Sequence, residues 1–154
     1  MKWAVDAMLG DVARCMIILG EDVLYRSDYS GVNLARIAHD EGRIFLTTSV
    51  RRFPNPPDTA YLIIPMSVDS LWDKLRFVKR RFSIYFKVEN LFSRCILCNT
   101  LTTEIFPDKK PAEIPQKVFM EFVLYQCPRC KKIYWKGGHF EHTKKKFLEE
   151  SILN

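Results

Sequence analysis

Four cysteines carry the clearest chemistry in this 154-residue chain, in two equal spacings, Cys95-Ile96-Leu97-Cys98 and Cys127-Pro128-Arg129-Cys130. A CxxC turn aims two sulfurs at one point, and two such turns place four thiolates tetrahedrally around one Zn²⁺. The 28 residues from Asn99 to Gln126 are enough for a strand and an excursion that returns the second pair beside the first. Two disulfides, or plain burial of the thiols, are the competing explanations, and a reducing compartment favours metal over both. Four sulfurs close the site, so the zinc is structural and His139 and His142 are not needed as ligands. Cys15 lies far away in a helical pattern and reads as core.

The second chemical signal is charge. Arg129, Lys131, Lys132, Lys136, Lys144, Lys145 and Lys146 face one acid, Glu141, so residues 129–146 carry a net +6, the formal charge of the whole chain. Tyr134, Trp135, His139 and Phe140 are interleaved with them. Cationic heads neutralise phosphates while aromatic faces stack on bases, so Arg129, Lys131, Lys132, Tyr134, Trp135, Lys136 and His139 form a candidate face for single-stranded RNA. The alternative is a solvated basic surface with Tyr134 and Trp135 covering the metal site.

The elements that must position these groups alternate. Lys2–Val5 reads as a strand ending at Asp6. Met8–Leu19 spaces Leu9, Val12, Ala13, Met16 and Leu19 as a helix, with Gly20 at its left-handed stop. A strand over Asp22–Tyr25, a helix over Asn33–Glu41 stopped by Gly42, and a strand over Arg43–Thr47 follow. Three prolines exclude regular structure over Arg51–Asp58, after which Ala60–Ile64 is a buried strand. Ser67–Phe82 is an amphipathic helix, Ile84–Val88 is expected to add a strand, and Glu141–Leu153 is a terminal helix. This βαβ alternation predicts a mostly parallel, helix-flanked sheet whose site lies at the carboxyl ends of its strands. No run approaches the roughly 20 apolar residues of a membrane span, and no signal peptide is visible at Met1-Lys2-Trp3-Ala4-Val5-Asp6. An intracellular, reducing compartment is expected, cytoplasmic rather than nuclear.

The order of motifs resembles the Mut-seven C-terminal RNase domain family, a PIN-like domain with a C-terminal zinc ribbon. The resemblance is carried by Val5-Asp6-Ala7-Met8-Leu9-Gly10, Val12-Ala13-Arg14, Leu19-Gly20 with Asp22, and Gly42-Arg43-Ile44-Phe45-Leu46-Thr47. It continues through Ser93-Arg94-Cys95-Ile96-Leu97-Cys98-Asn99, Gln126-Cys127-Pro128-Arg129-Cys130 and Ile133-Tyr134-Trp135-Lys136-Gly137 with His139, so it spans nearly the whole chain. It implies a PIN-like three-layer α/β body over 1–90, a zinc ribbon over 91–140, and a terminal helix over 141–154 packing back on the body.

It also implies metal-dependent RNA cleavage, in which several carboxylates hold Mg²⁺ or Mn²⁺ to activate water at the scissile phosphate. Asp6 stands where the family places its first metal-binding acid. Asp28 falls where many members carry another, or is simply a turn-forming aspartate. The two remaining acidic positions align with Gly31 and Ser49, neither of which binds a cation as a carboxylate does. The expectation is therefore an RNA-binding module with a degenerate nuclease site, working in RNA processing or silencing beside a 3′-to-5′ exonuclease domain. A working metal-dependent ribonuclease and a protein-binding scaffold are the alternatives.

Overall fold

The structure, a computed structural model, describes residues 1–29, 31–49, 60–106 and 111–153. The first strand, β1 (Lys2–Val5), lies between β2 (Asp22–Tyr25) and β3 (Ile44–Thr47), with β4 (Tyr61–Ile63) beyond β3, and every pairing is parallel. Successive strand residues point to opposite faces. Ala4 and Phe45 meet Leu34, Ala35 and Ala38 of α2 (Gly31–Asp40) on one side. Trp3, Val5 and Leu46 meet α1 (Gly10–Ile18), α3 (Leu71–Arg81) and α5 (Gly138–Glu149) on the other. The result is the helix-flanked parallel sheet expected from the alternation, in the three layers that the family resemblance implies. Gly20 (φ +91°) and Gly42 (φ +61°) terminate α1 and α2 in the left-handed region, as their placement requires.

Because β1 leads through α1 to β2 on one side and β3 leads on to β4 on the other, the connections leaving β1 and β3 run in opposite directions, and a crevice opens at their carboxyl ends. Asp6 and Thr47 stand there.

Two elements differ from expectation. The segment 84–87 adds no strand: Ser83 (φ +50°) turns the chain off the end of α3, and the following residues carry Phe86 and Leu91 into the core under α1 instead. Burying two large side chains outweighs extending a sheet edge. Helix α3 begins at Leu71, four residues later than Ser67, because the Ser70 hydroxyl accepts from the Asp73 amide (3.0 Å) and fixes the N-cap there. The proline-rich segment lies outside the described residues.

The remaining residues form a second sheet, β5 (Thr103–Glu104), β6 (Leu124–Gln126) and β7 (Ile133–Trp135), antiparallel throughout, with the short α4 (Gln116–Glu121) before β6. Helix α5 begins at Gly138, so Phe140 belongs to it and enters the body's core with Phe147, Ile152 and Leu153. No helix among the described residues is long and apolar enough to cross a membrane.

Candidate metal centre and nucleic-acid interface

The two knuckles fold alike. In each, the amide after the second cysteine bonds the carbonyl of the first, Asn99 to Cys95 (2.8 Å) and Lys131 to Cys127 (3.0 Å). Asn99 (φ +60°) and Lys131 (φ +65°) take the left-handed conformation that closes the turn. The bridge Arg94–Leu101 and strands β6 and β7 then hold the turns face to face.

All four Sγ atoms lie within 4.8 Å of one another, with Cys95–Cys130 at 3.5 Å and Cys98–Cys127 at 3.4 Å. A tetrahedron with Zn–S bonds of roughly 2.3 Å has sulfur–sulfur edges of about 3.8 Å, so the set fits zinc with little adjustment. Desolvation opposes ionising Cys95, but hydrogen bonds from the Tyr134 hydroxyl and the Leu97 and Cys98 amides bring its thiol down to about 6. Cys127 is also lowered, the amides of Cys130 and Arg129 outweighing desolvation. Cys130 is pushed up to about 11: the Lys132 amide lowers it, but desolvation and the crowding of Cys95, Cys127 and Cys98 prevail. Sulfurs this close compete for negative charge, and a divalent cation at their centre removes the competition. The Tyr134 hydroxyl, 3.1 Å from Cys95 Sγ, orients that ligand. Zinc bound here would tie the two knuckles together and leave no position for a reacting water.

The first knuckle is fixed to the body. Asn99 Oδ1 accepts from the Val23 amide of β2 (3.1 Å), and Asn99 Nδ2 donates to Asp22 Oδ1 (2.8 Å), which also accepts from Arg43 Nη1 (2.8 Å). Arg94 donates to the carbonyls of Gly20 (3.1 Å) and Asn99 (2.8 Å). Although desolvation opposes it, hydrogen bonds from Arg43 and Asn99 hold the Asp22 carboxyl below its ordinary range. No local spacing announces this contact, which spans 77 residues of sequence.

The basic segment divides in two. On α5, Lys144, Lys145 and Lys146 sit 3.4, 3.9 and 3.0 Å from Glu141, Glu149 and Glu150. On the ribbon, Arg129, Lys131, Lys132 and Lys136 are exposed, and among the described residues none has an ion-pair partner. The unneutralised charge therefore lies on the second knuckle and on the residues that flank β7. Trp135 is 41% exposed, its indole lying over Gly137, where an added Cβ would come within 2.9 Å of Nε1. Tyr134 plays the metal-supporting part, with Lys132 Nζ over its ring at 5.9 Å. His139 is exposed and its ring lies 6.0 Å from that of Phe92.

At the sheet crevice, Asp6 is 1% exposed, and its Oδ2 accepts from the Thr47 hydroxyl (2.8 Å), which in turn accepts from the Ser49 amide (3.1 Å). Asp28 is exposed and both its oxygens are taken by Arg26, at 3.0 and 2.8 Å. That bidentate bond lowers its carboxyl pKa. Gly31 opens α2 and Ser49 follows β3. Apart from the cysteines, no group of three potential ligands comes together among the described residues. One carboxylate already engaged by a hydroxyl does not fit the several oxygens that Mg²⁺ or Mn²⁺ requires.

A family model described as the Mut7-C RNAse domain matches residues 1–147. No curated protein and no solved structure matches the chain.

Proposed function

The chain belongs to the Mut7-C RNase domain family, and on that premise we propose that it is an RNA-binding module whose ancestral nuclease site no longer holds a catalytic metal. Binding is assigned to the ribbon. The observation that carries this reading is the exposed set Arg129, Lys131, Lys132 and Lys136, without ion-pair partners among the described residues and arrayed about an exposed Trp135. Free cations bind phosphate without first breaking an internal ion pair, whereas those of α5 must give one up. Zinc on Cys95, Cys98, Cys127 and Cys130 holds the strand that presents them. Single-stranded RNA suits the combination of aromatic faces and point charges, and a 3′-to-5′ exonuclease domain beside the module would supply the cleavage that the crevice does not. Four cysteines serving as metal thiolates suit an intracellular, reducing compartment.

A working ribonuclease is the second reading, favoured by one observation: Asp6 is kept as a buried carboxylate at the switch point of the sheet. A parallel assay separates the two. The zinc-loaded protein is expected to bind single-stranded RNA and to leave it intact in Mn²⁺, with Asp6→Asn binding within a few fold of wild type. Replacing Lys131, Lys132 and Lys136 together by alanine should lower the slope of log K against log salt by about 2, at roughly 0.7 per lost phosphate contact. Mn²⁺-stimulated cleavage abolished by Asp6→Asn would establish the nuclease instead. An unchanged salt slope in the triple variant would remove the ribbon face from the interface.

A further inference from the structure

Where the ribbon meets the body, a cleft of about 220 Å³ opens between β6, β7, the first turn of α5 and the segments 89–93 and 101–102. Its walls are mainly aromatic: Phe92, Tyr125, Tyr134, Trp135 and Phe140. Phe92 is held at φ +58°, a conformation costly for a bulky residue, by the hydrogen bond its N–H donates to the Ile18 carbonyl (2.8 Å) and by ring contact with Phe140 at 5.9 Å. Such strain persists only where the surroundings over-determine it. It keeps the Phe92 ring in the wall of the cleft. Gly137 does the same for Trp135, since any larger residue there would displace the indole.

Two ammonium groups lie on rings that line this cleft, Lys132 Nζ on Tyr134 at 5.9 Å and Lys136 Nζ on Phe140 at 5.2 Å. Glu89 is the only acid among the lining residues, and its carboxylate is 3.6 Å from Lys87. The cleft is thus an aromatic-rich slot whose lining acid is paired with a lysine and whose rings carry two further ammonium groups. It is smaller than the roughly 300–1,000 Å³ of sites for drug-sized ligands, which suits one flat ring rather than a whole cofactor.

We propose that this cleft receives a single unpaired nucleobase of the bound RNA, stacked against Trp135 and Phe92, with the adjoining phosphates on Lys132 and Lys136. The assignment rests on the RNA-binding reading and sharpens it: charge on the ribbon gives affinity for any polyanion, while the cleft distinguishes nucleic acid from a bare polyanion. The base-bearing wall includes Phe92, whose side chain packs against the body's core, so the ribbon and body recognise RNA together.

The experiment compares a short single-stranded RNA with an oligomer of abasic ribose phosphate of equal length and charge, each titrated onto the zinc-loaded full chain. Stacking of one base is worth about 1–3 kcal/mol, so the RNA should bind about 5- to 150-fold tighter. Gly137→Ala, which moves the indole without touching a charge, should remove most of that preference and leave the salt slope unaltered. Leu101→Trp, which fills the cleft from its opposite wall, should do the same. Zinc content and melting temperature report whether each variant is folded. The triple lysine variant should show the converse, a lower slope for both ligands with the preference kept. Equal binding of RNA and abasic oligomer by the wild type would overturn the base slot while leaving the basic face intact. A preference that survives in both folded variants would place the base elsewhere and overturn it too. Binding of neither ligand would refute the RNA-binding reading and the slot with it.

Discussion

Removing the Asn99 side chain tests whether the ribbon is bolted to the body or merely rests on it. Asn99 makes one bond to a neutral amide of β2 and one to the Asp22 carboxylate. The first is worth about 1 kcal/mol net, and the second about 1.5 kcal/mol, the low end for a charged partner because Asp22 is partly exposed. Asn99 also sits at φ +60°, where asparagine is tolerated and alanine costs roughly 1–2 kcal/mol more. Asn99→Ala should therefore destabilise by about 3–5 kcal/mol, and Asn99→Gly, which loses the bonds but not the backbone fit, by about 2–3 kcal/mol. At roughly 2–4 °C per kcal/mol for a chain of this size, the alanine variant should melt about 6–20 °C lower. Urea unfolding at verified full zinc occupancy gives the energies, and hydrogen exchange at Val23 reports the docking bond directly. A loss below about 0.5 kcal/mol in Asn99→Ala, with Val23 still protected, would show that neither bond matters and refute the account.

Three further outcomes follow from the same contacts. One Zn²⁺ per chain is expected by elemental analysis, and Cys127→Ser or chelation should abolish amide protection in β5, β6 and β7 while β1 and β3 stay protected; ribbon amides protected after verified metal removal would contradict this. Thr47→Val should cost about 1–3 kcal/mol by leaving the buried Asp6 carboxylate without its hydroxyl, and Thr47→Ser should restore most of it, as measured by urea unfolding. The depressed pKa of Asp22 means that its carboxylate stabilises the fold above the ordinary aspartate range and that this contribution fades as pH falls through and below it. The stability gap between wild type and Asp22→Asn should accordingly close on acidification, and a gap that stays constant from neutral pH to pH ~3 would exclude the linkage.

What was legible in the sequence was what is local. The CxxC spacing fixes a turn of four residues, so the knuckles and their meeting point could be read without any knowledge of the intervening chain. Gly20 and Gly42 marked helix ends because left-handed backbone is a property of single residues. Ile84–Val88 misled because its apolar residues suit a strand or a core-crossing segment equally, and only the position of α1 decides between them. Lys144–Lys146 were counted as part of the basic surface although Glu149 and Glu150 stand at helical spacing just beyond, close enough to neutralise two of them. The crevice was half legible: Asp6 follows a strand, but its hydroxyl partner comes from a strand 41 residues away. The Asn99–Asp22 bond and the aromatic cleft depend on how two sheets are set against each other, which no periodicity encodes.

Helix α5, reached only after the ribbon, gives Phe140, Phe147, Ile152 and Leu153 to the body's core. For a chain made from its amino terminus, that order imposes a delay. The four parallel strands can emerge from the ribosome, pair and receive α1 and α3, yet the apolar surface that Phe140, Phe147, Ile152 and Leu153 cover stays exposed until residue 153 is clear of the exit tunnel. During that interval the knuckles have already emerged and can load metal. Capture of zinc would then shorten the path between Leu91 and Phe140 and bring the late helix to the waiting apolar surface, and metal supply during synthesis would govern how long that surface is exposed to chaperones and to aggregation.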